Sequence, residues 1–167
     1  MELFLLRHGL AVERGTAGFA HDAARPLTPQ GRRELRKITR AMQRLELSFD
    51  LILSSPFLRA KQTTEIVAAE MKLKQQLAFA DELQPGGDLK KLMQRLAGLK
   101  SKRENILLVG HEPDLSGLIS LLVSGRAGAG FALKKGGLAK LEVAKLCAGK
   151  GATLAWLVTP AQLKRMQ

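Results

Sequence analysis

Short apolar runs alternate with longer stretches of helical spacing along this chain. The first run, Leu3-Phe4-Leu5-Leu6, is unbroken and sits almost at the N-terminus, which predicts a buried first strand. Residues 11–27 read as a loop rich in Gly, Ala and charge. Thr28-Pro29 then opens a helix, because Thr can accept from a free first-turn N–H and Pro fits the first helical position. Leu35, Ile38, Met42 and Leu45 fall on one face of it, the face expected to pack on a sheet. Arg32, Arg36, Arg40 and Arg44 make a basic stripe elsewhere on the same helix. Leu51-Ile52-Leu53 predicts a second strand, and Ser55-Pro56 a second helix start, running to about Met71. A short strand is expected over residues 77–80. Asp88 is placed to cap a helix carrying Leu89, Leu92, Met93 and Leu96. Another strand follows at residues 105–109, and an apolar helix at about 113–123. Beyond it, Gly136-Gly137 separates two strand candidates, residues 131–133 and 138–143, and a last strand at about 153–158 is ended by Pro160.

Strand and helix alternate until about residue 123, and only strands follow. That order predicts a three-layer α/β/α sandwich with a mostly parallel central sheet and antiparallel strands at one edge. With 167 residues the chain reads as one domain, residues 1–167, long enough for a sizeable core. No repeat, linker or low-complexity segment stands out.

Composition narrows the setting. An apolar fraction of 46% and a charged fraction of 25% belong to an ordinary globular protein. No apolar run is long enough to span a membrane, and the N-terminal run is too short for a signal peptide and has no basic segment before it. Cys147 is the sole cysteine, so an internal disulfide is excluded and a reducing cytoplasm is the expected compartment; Cys147 itself reads as a small buried hydrophobe. No Cys/His cluster has zinc spacing. The formal net charge of +12 favours anionic partners: phosphates, acidic proteins, nucleic acid or anionic lipid. It equally fits a solvated basic surface. A nucleic-acid-binding module stands as the reading from another class, but no Tyr, one Trp and six Phe leave few platforms for base stacking.

The candidate chemistry sits where strands stop. Arg7-His8-Gly9 ends the first strand, Ser54-Ser55-Pro56-Phe57-Leu58-Arg59 the second, and Gly110-His111-Glu112 a later one. In a parallel sheet these ends share one edge, so the three turns can converge on one pocket, and open α/β sheets bind ligands there. Helix N-termini at that edge favour an anion. The forked donors of Arg7 and Arg59 suit the oxygens of a phosphate. Gly9 and Gly110 allow tight turns and close backbone approach. His21, within the loop, reads as an ordinary structural histidine. Spacing alone thus indicates a phosphate site with two histidines.

Leu6-Arg7-His8-Gly9 resembles the signature of the histidine phosphatase superfamily, also called phosphoglycerate mutase-like. Ser54-Ser55-Pro56-Phe57-Leu58-Arg59-Ala60-Lys61-Gln62-Thr63 resembles its second motif and Val109-Gly110-His111 its third. Arg25-Pro26-Leu27-Thr28-Pro29-Gln30-Gly31 is similar to the segment that opens its first long helix. The compact length, Ser-Pro-Phe-Leu-Arg-Ala, and the ending Trp156-Leu157-Val158-Thr159-Pro160 with Leu163-Lys164 resemble the branch of SixA-type phosphohistidine phosphatases. The resemblance spans nearly the whole chain. It implies that His8 is the nucleophile, that Arg7, Arg59 and His111 bind phosphoryl oxygens, and that no metal or other cofactor takes part. It implies inorganic phosphate as product and a phosphorylated protein as partner, of which a histidine phosphotransfer domain is one form. Phosphomonoesters and phosphoanhydrides are the alternative substrates within the superfamily. Larger members carry an acidic proton donor between the second and third motifs. Glu82, in Asp81-Glu82-Leu83-Gln84-Pro85-Gly86-Gly87-Asp88, is the best match here. Gly9 and Glu112 are the further candidates for contact with substrate.

Overall fold

The computed structural model describes residues 1–99, 103–146 and 150–166. Cys147, expected to be buried, lies outside the described residues. The elements run β1 (Glu2–Arg7), α1 (Pro29–Arg44), β2 (Leu51–Ser54), α2 (Leu58–Glu70), β3 (Leu77–Phe79), α3 (Leu89–Ala97), β4 (Asn105–Gly110), α4 (Asp114–Ser124), β5 (Leu138–Val143), β6 (Ala152–Val158) and the short α5 (Pro160–Leu163). The sheet has the order β3-β2-β4-β1-β5-β6. Its first four members are mutually parallel, while β5 and β6 pair antiparallel and complete one edge.

Apolar runs without alternation mean strands covered on both faces. Leu3 and Leu5 of β1, Leu51 and Leu53 of β2, and Ile106 and Leu108 of β4 meet Leu92 and Leu96 of α3 and Leu115, Leu118 and Ile119 of α4. The intervening Phe4, Leu6, Ile52, Leu107 and Val109 meet Leu35, Ile38 and Met42 of α1 and Ala60 and Val67 of α2. The period-two switch along each strand therefore builds both helical layers of an α/β/α sandwich.

The caps follow the sequence. Thr28 Oγ1 accepts from Gly31 N at 2.9 Å, and Asp88 Oδ1 accepts from Lys90 N and Lys91 N at 2.9 and 3.0 Å. Gly31 has a further reason to be glycine: a Cβ there would fall 2.1 Å from Leu10 O, so only glycine lets α1 start against the chain leaving β1.

Three local expectations need correction, and a fourth gains a detail. Residues 131–133 form no strand. β5, the next strand along the chain, already has β1 on one flank and β6 on the other, and the Leu133 carbonyl instead accepts from Arg7 NH1 at 2.9 Å. The second helix begins at Leu58, because Ser55 Oγ accepts from Phe57 N at 3.2 Å and holds Ser55-Pro56-Phe57 as a turn. Leu45 does not pack on the sheet; it is the C-cap of α1 and 43% exposed. Pro160 does end β6, but it also opens α5, whose Thr159 and Gln162 form a reciprocal capping box.

Candidate active site

The registers bring the strand ends together. Arg7 of β1 lies opposite Gly110 of β4, and Ser54 of β2 opposite Val109 of β4. His8 N still donates to Gly110 O at 3.1 Å and Ser55 N to Val109 O at 2.9 Å. His8, Ser55 and His111 therefore leave the sheet side by side, and the His8 and His111 rings lie 5.0 Å apart.

His8 is buried, and its Nδ1 lies 2.7 Å from the Gly9 carbonyl, which can only accept. The proton therefore sits on Nδ1 and the lone pair on Nε2. Arg59 Nε donates to that Nε2 at 3.2 Å. Burial is the largest influence on the ring and drives its pKa down to about 3; the Gly9 carbonyl opposes this, and His111, Arg59 and Arg7 add repulsion. The ring is therefore neutral at physiological pH, with an unprotonated Nε2.

Gly9 serves this arrangement rather than the pocket surface. Its N–H donates to Thr63 Oγ1 at 3.1 Å, and Thr63 Oγ1 donates to Arg59 O at 2.7 Å, so the first turn and α2 are locked together. A Cβ on Gly9 would fall 2.7 Å from Leu35 Cδ1: the glycine admits α1. The neighbouring Gln62 accepts from Leu27 N at 2.8 Å and ties down the end of the long β1–α1 segment.

Arg7 and His111 complete the floor. Arg7 NH1 is anchored on Leu133 O, while Arg7 Nε is buried without a hydrogen-bond partner. His111 Nε2 lies 2.9 Å from Ser55 Oγ, and His111 Nδ1 is likewise buried and unpartnered. The Ser55 hydroxyl can donate to Nε2, and in that tautomer the proton of His111 sits on Nδ1. Burial lowers the His111 pKa to about 3, with Arg59 the next largest cause. Phe57 packs edge-on to the His111 ring at 5.4 Å and under the Arg59 guanidinium at 5.2 Å.

Arg7, His8, Arg59 and His111 line a cleft of about 180 Å³ together with Arg14, Asp22, Arg25, Pro85, Glu112 and Lys135. Asp22 was not singled out in the sequence. Its Oδ1 accepts from Arg25 Nε and NH2 at 2.9 and 2.6 Å, and its Oδ2 from Arg59 NH2 at 2.9 Å. Burial acts to raise its pKa, but the hydrogen bonds from Arg25 and Arg59 outweigh it and hold the carboxyl down at about 2. Glu112 lies at the start of α4, where its oxygens accept from Ser116 N at 3.2 Å and Ser116 Oγ at 2.6 Å. Burial lowers the Arg7 pKa, and the Glu112 carboxylate opposes the shift.

The remaining candidates lie elsewhere. Glu82 does not line the cleft; it pairs with Arg95 of α3 at 3.3 Å. His21 is exposed and also outside the lining. Among the described residues, no group of three or more His, Cys, Asp or Glu side chains is placed to hold a metal ion, and no helix is long and apolar enough to cross a membrane.

The two histidines set a pH dependence. An unfolded imidazole ionises near its ordinary value of 6.5, whereas these ionise only near 3. Below the ordinary value the unfolded chain therefore binds more protons, and stability falls as pH drops from about 6.5 towards 3. His111→Gln is expected to flatten that decline in denaturant melts taken across the interval. An unchanged slope would mean that His111 titrates alike in the folded and unfolded chains.

Comparison with known proteins identifies the family. Residues 3–84 match the model of the histidine phosphatase superfamily (branch 1). The chain is 37% identical to an uncharacterized protein of Picosynechococcus sp. over 143 residues, 85% of each chain. It is 30% identical to the phosphohistidine phosphatase SixA of Escherichia coli over 165 residues, 98% of this chain and 97% of that one. The solved structure of the protein histidine phosphatase SixA complexed with tungstate superposes with a TM-score of 0.83 at 28% identity, covering 98% of this chain and 99% of SixA. An α-ribazole-5′-P phosphatase of Escherichia coli shares the fold at a TM-score of 0.77 and 22% identity, covering 96% and 98%. The chain belongs to the histidine phosphatase superfamily and is a hydrolase of the phosphatase type. Within that class its likeness to SixA extends over the full length of both chains.

Proposed function

We propose that this protein is a phosphohistidine phosphatase acting on a phosphorylated protein, with His8 as nucleophile. One observation carries the reading: Arg7 and His111, whose Nε and Nδ1 are two of the three buried side-chain polar atoms without a partner among the described residues, line one cleft with His8. Unpartnered buried donors are rare, and a phosphoryl group at His8 would satisfy both. The SixA to which the chain is similar was solved complexed with tungstate, an oxyanion, which supports a phosphoryl substrate. The cleft of about 180 Å³ is below the range usual for organic ligands, so it suits a phosphoryl group on a side-chain stem.

The chemistry follows in two displacements. His8 Nε2 attacks phosphorus as the bond to the leaving imidazole breaks. Arg7, Arg59 and His111 take the charge on the equatorial oxygens, which lie across the line of attack. Water then attacks phospho-His8, giving inorganic phosphate and restoring the imidazole. Asp22 is bound by the guanidiniums of Arg14, Arg25 and Arg59 and stays ionised, so Glu112 is the cleft carboxyl available to give a proton to the leaving group and take one from water. Glu82, committed to Arg95, takes no part in this reading.

Glu112 also favours a second reading. An imidazole leaves with little help, whereas the alkoxide of a phosphomonoester needs a proton. A cleft holding an acid can serve both. Glu112→Gln is therefore expected to slow alkyl phosphate hydrolysis more than phosphohistidine hydrolysis, and Glu82→Gln to change neither. The deciding experiment is a panel of phosphohistidine protein, alkyl phosphates and a nucleotide, run with wild type and both variants. Higher kcat/KM on alkyl phosphates than on phosphohistidine, with a collapse in Glu112→Gln, would make the protein a phosphomonoesterase.

A further inference from the structure

Asp22 is the one anion joined directly to the clamp, and its presence needs a reason. A carboxylate beside a phosphate site repels the substrate and weakens binding, so its benefit must arise elsewhere. Arg59 offers three nitrogens. NH1 donates to the Asp22 carbonyl at 2.7 Å and NH2 to Asp22 Oδ2 at 2.9 Å, so one residue takes the whole terminal edge of the guanidinium. The other edge, Nε with the second hydrogen of NH2, faces His8 Nε2. Asp22 Oδ1 meanwhile holds Arg25, whose NH1 is fixed on the Val12 carbonyl. The carboxylate thus separates two guanidiniums that repel each other.

We propose that Asp22 is a positioning residue: by occupying the terminal edge of Arg59 with its carbonyl and its carboxylate, it turns the Nε–NH2 edge towards the phosphoryl group transferred at His8. The proposal rests on the phosphatase reading above. The β1–α1 segment has other fastenings, among them Val12 N to Pro26 O at 2.9 Å, Thr28 N to Leu10 O at 3.0 Å and Leu27 N to Gln62. The loss of one carboxylate therefore leaves its fold in place.

Positioning and electrostatics predict opposite signs, which makes the test specific. Asp22→Asn removes a negative charge, so inorganic phosphate should inhibit as strongly as in wild type or more strongly. The neutral amide holds Arg59 and Arg25 less well, so kcat on phosphohistidine protein should fall on the order of 10²-fold, the scale of a small misplacement, with KM unchanged or lower and Tm preserved. In an Arg59→Lys background, which has no fork to orient, Asp22→Asn should cost little more. A purely structural role would lower Tm and weaken phosphate inhibition together, and would overturn the proposal. So would wild-type kcat in Asp22→Asn, or an equal fold-loss in the Arg59→Lys background. Wild type inactive on every phosphorylated substrate would instead strike the phosphatase reading, and this proposal with it.

Discussion

His8→Ala is expected to abolish turnover while leaving the fold intact. Nε2 of His8 is the lone pair that faces the clamp, because Nδ1 is committed to the Gly9 carbonyl. No neighbour replaces it: the Nε2 of His111 is occupied by Ser55 Oγ, and its Nδ1 serves as a donor in this reading. Removal of a nucleophile costs on the order of 10⁶-fold in kcat in an enzyme whose groups act as a unit. Rapid quenching of wild type with labelled substrate should trap protein-bound phosphate that survives alkali and is lost in acid, as a P–N bond requires. His8→Ala should trap none, with an unchanged circular dichroism spectrum. Substantial turnover by His8→Ala, or label that survives acid, would end the assignment.

The fold was legible because its signals are local and repeated. Unbroken apolar runs at β1, β2 and β4 announced strands covered on both faces, and Thr28, Asp88 and Pro29 announced helix starts by cap chemistry that needs no partner from afar. The run of strand patterns without a helix between them after α4 marked the change to antiparallel pairing. What failed depended on tertiary competition. Residues 131–133 carry strand composition, but both flanks of the next strand, β5, are held by β1 and β6. Leu45 continues the apolar face of α1 past the point where the helix ends.

The site was legible to the extent that it lies on strand ends. His8, Arg7 and His111 follow directly from the sheet registers, and Arg59 lies on the first turn of α2, close to the end of β2. Asp22 was hidden, since it sits in a loop whose composition carries no periodicity. One signal could have exposed it: an acid three residues before Arg25, in a chain with few acids near its motifs, is a local ion pair at hydrogen-bonding reach. Glu82 was misleading for the converse reason. Chain position between two motifs says nothing about the direction of a side chain, and Arg95 of α3 lies nearer to it than the cleft does.

Arg59→Lys is expected to lower kcat by about 10²–10³-fold, the cost of losing one preorganised donor set, with a much smaller change in KM. The guanidinium reaches three acceptors through three different nitrogens: His8 Nε2, the Asp22 carbonyl and the Asp22 carboxylate. A single ammonium keeps the charge but cannot present two parallel N–H bonds to a phosphoryl group while it holds Asp22. Ground-state attraction depends mainly on charge, and lysine keeps it. The transition state spreads charge over the equatorial oxygens in a fixed plane, and there the fork matters. Arg7→Ala should show the same separation less cleanly, since Arg7 also fixes the chain at Leu133 through NH1. Steady-state kinetics on phosphohistidine protein, with inhibition by inorganic phosphate as a measure of ground-state binding, would check both. Full activity in Arg59→Lys would mean that charge alone suffices at this position and that the fork of Arg59 is not used in phosphoryl transfer.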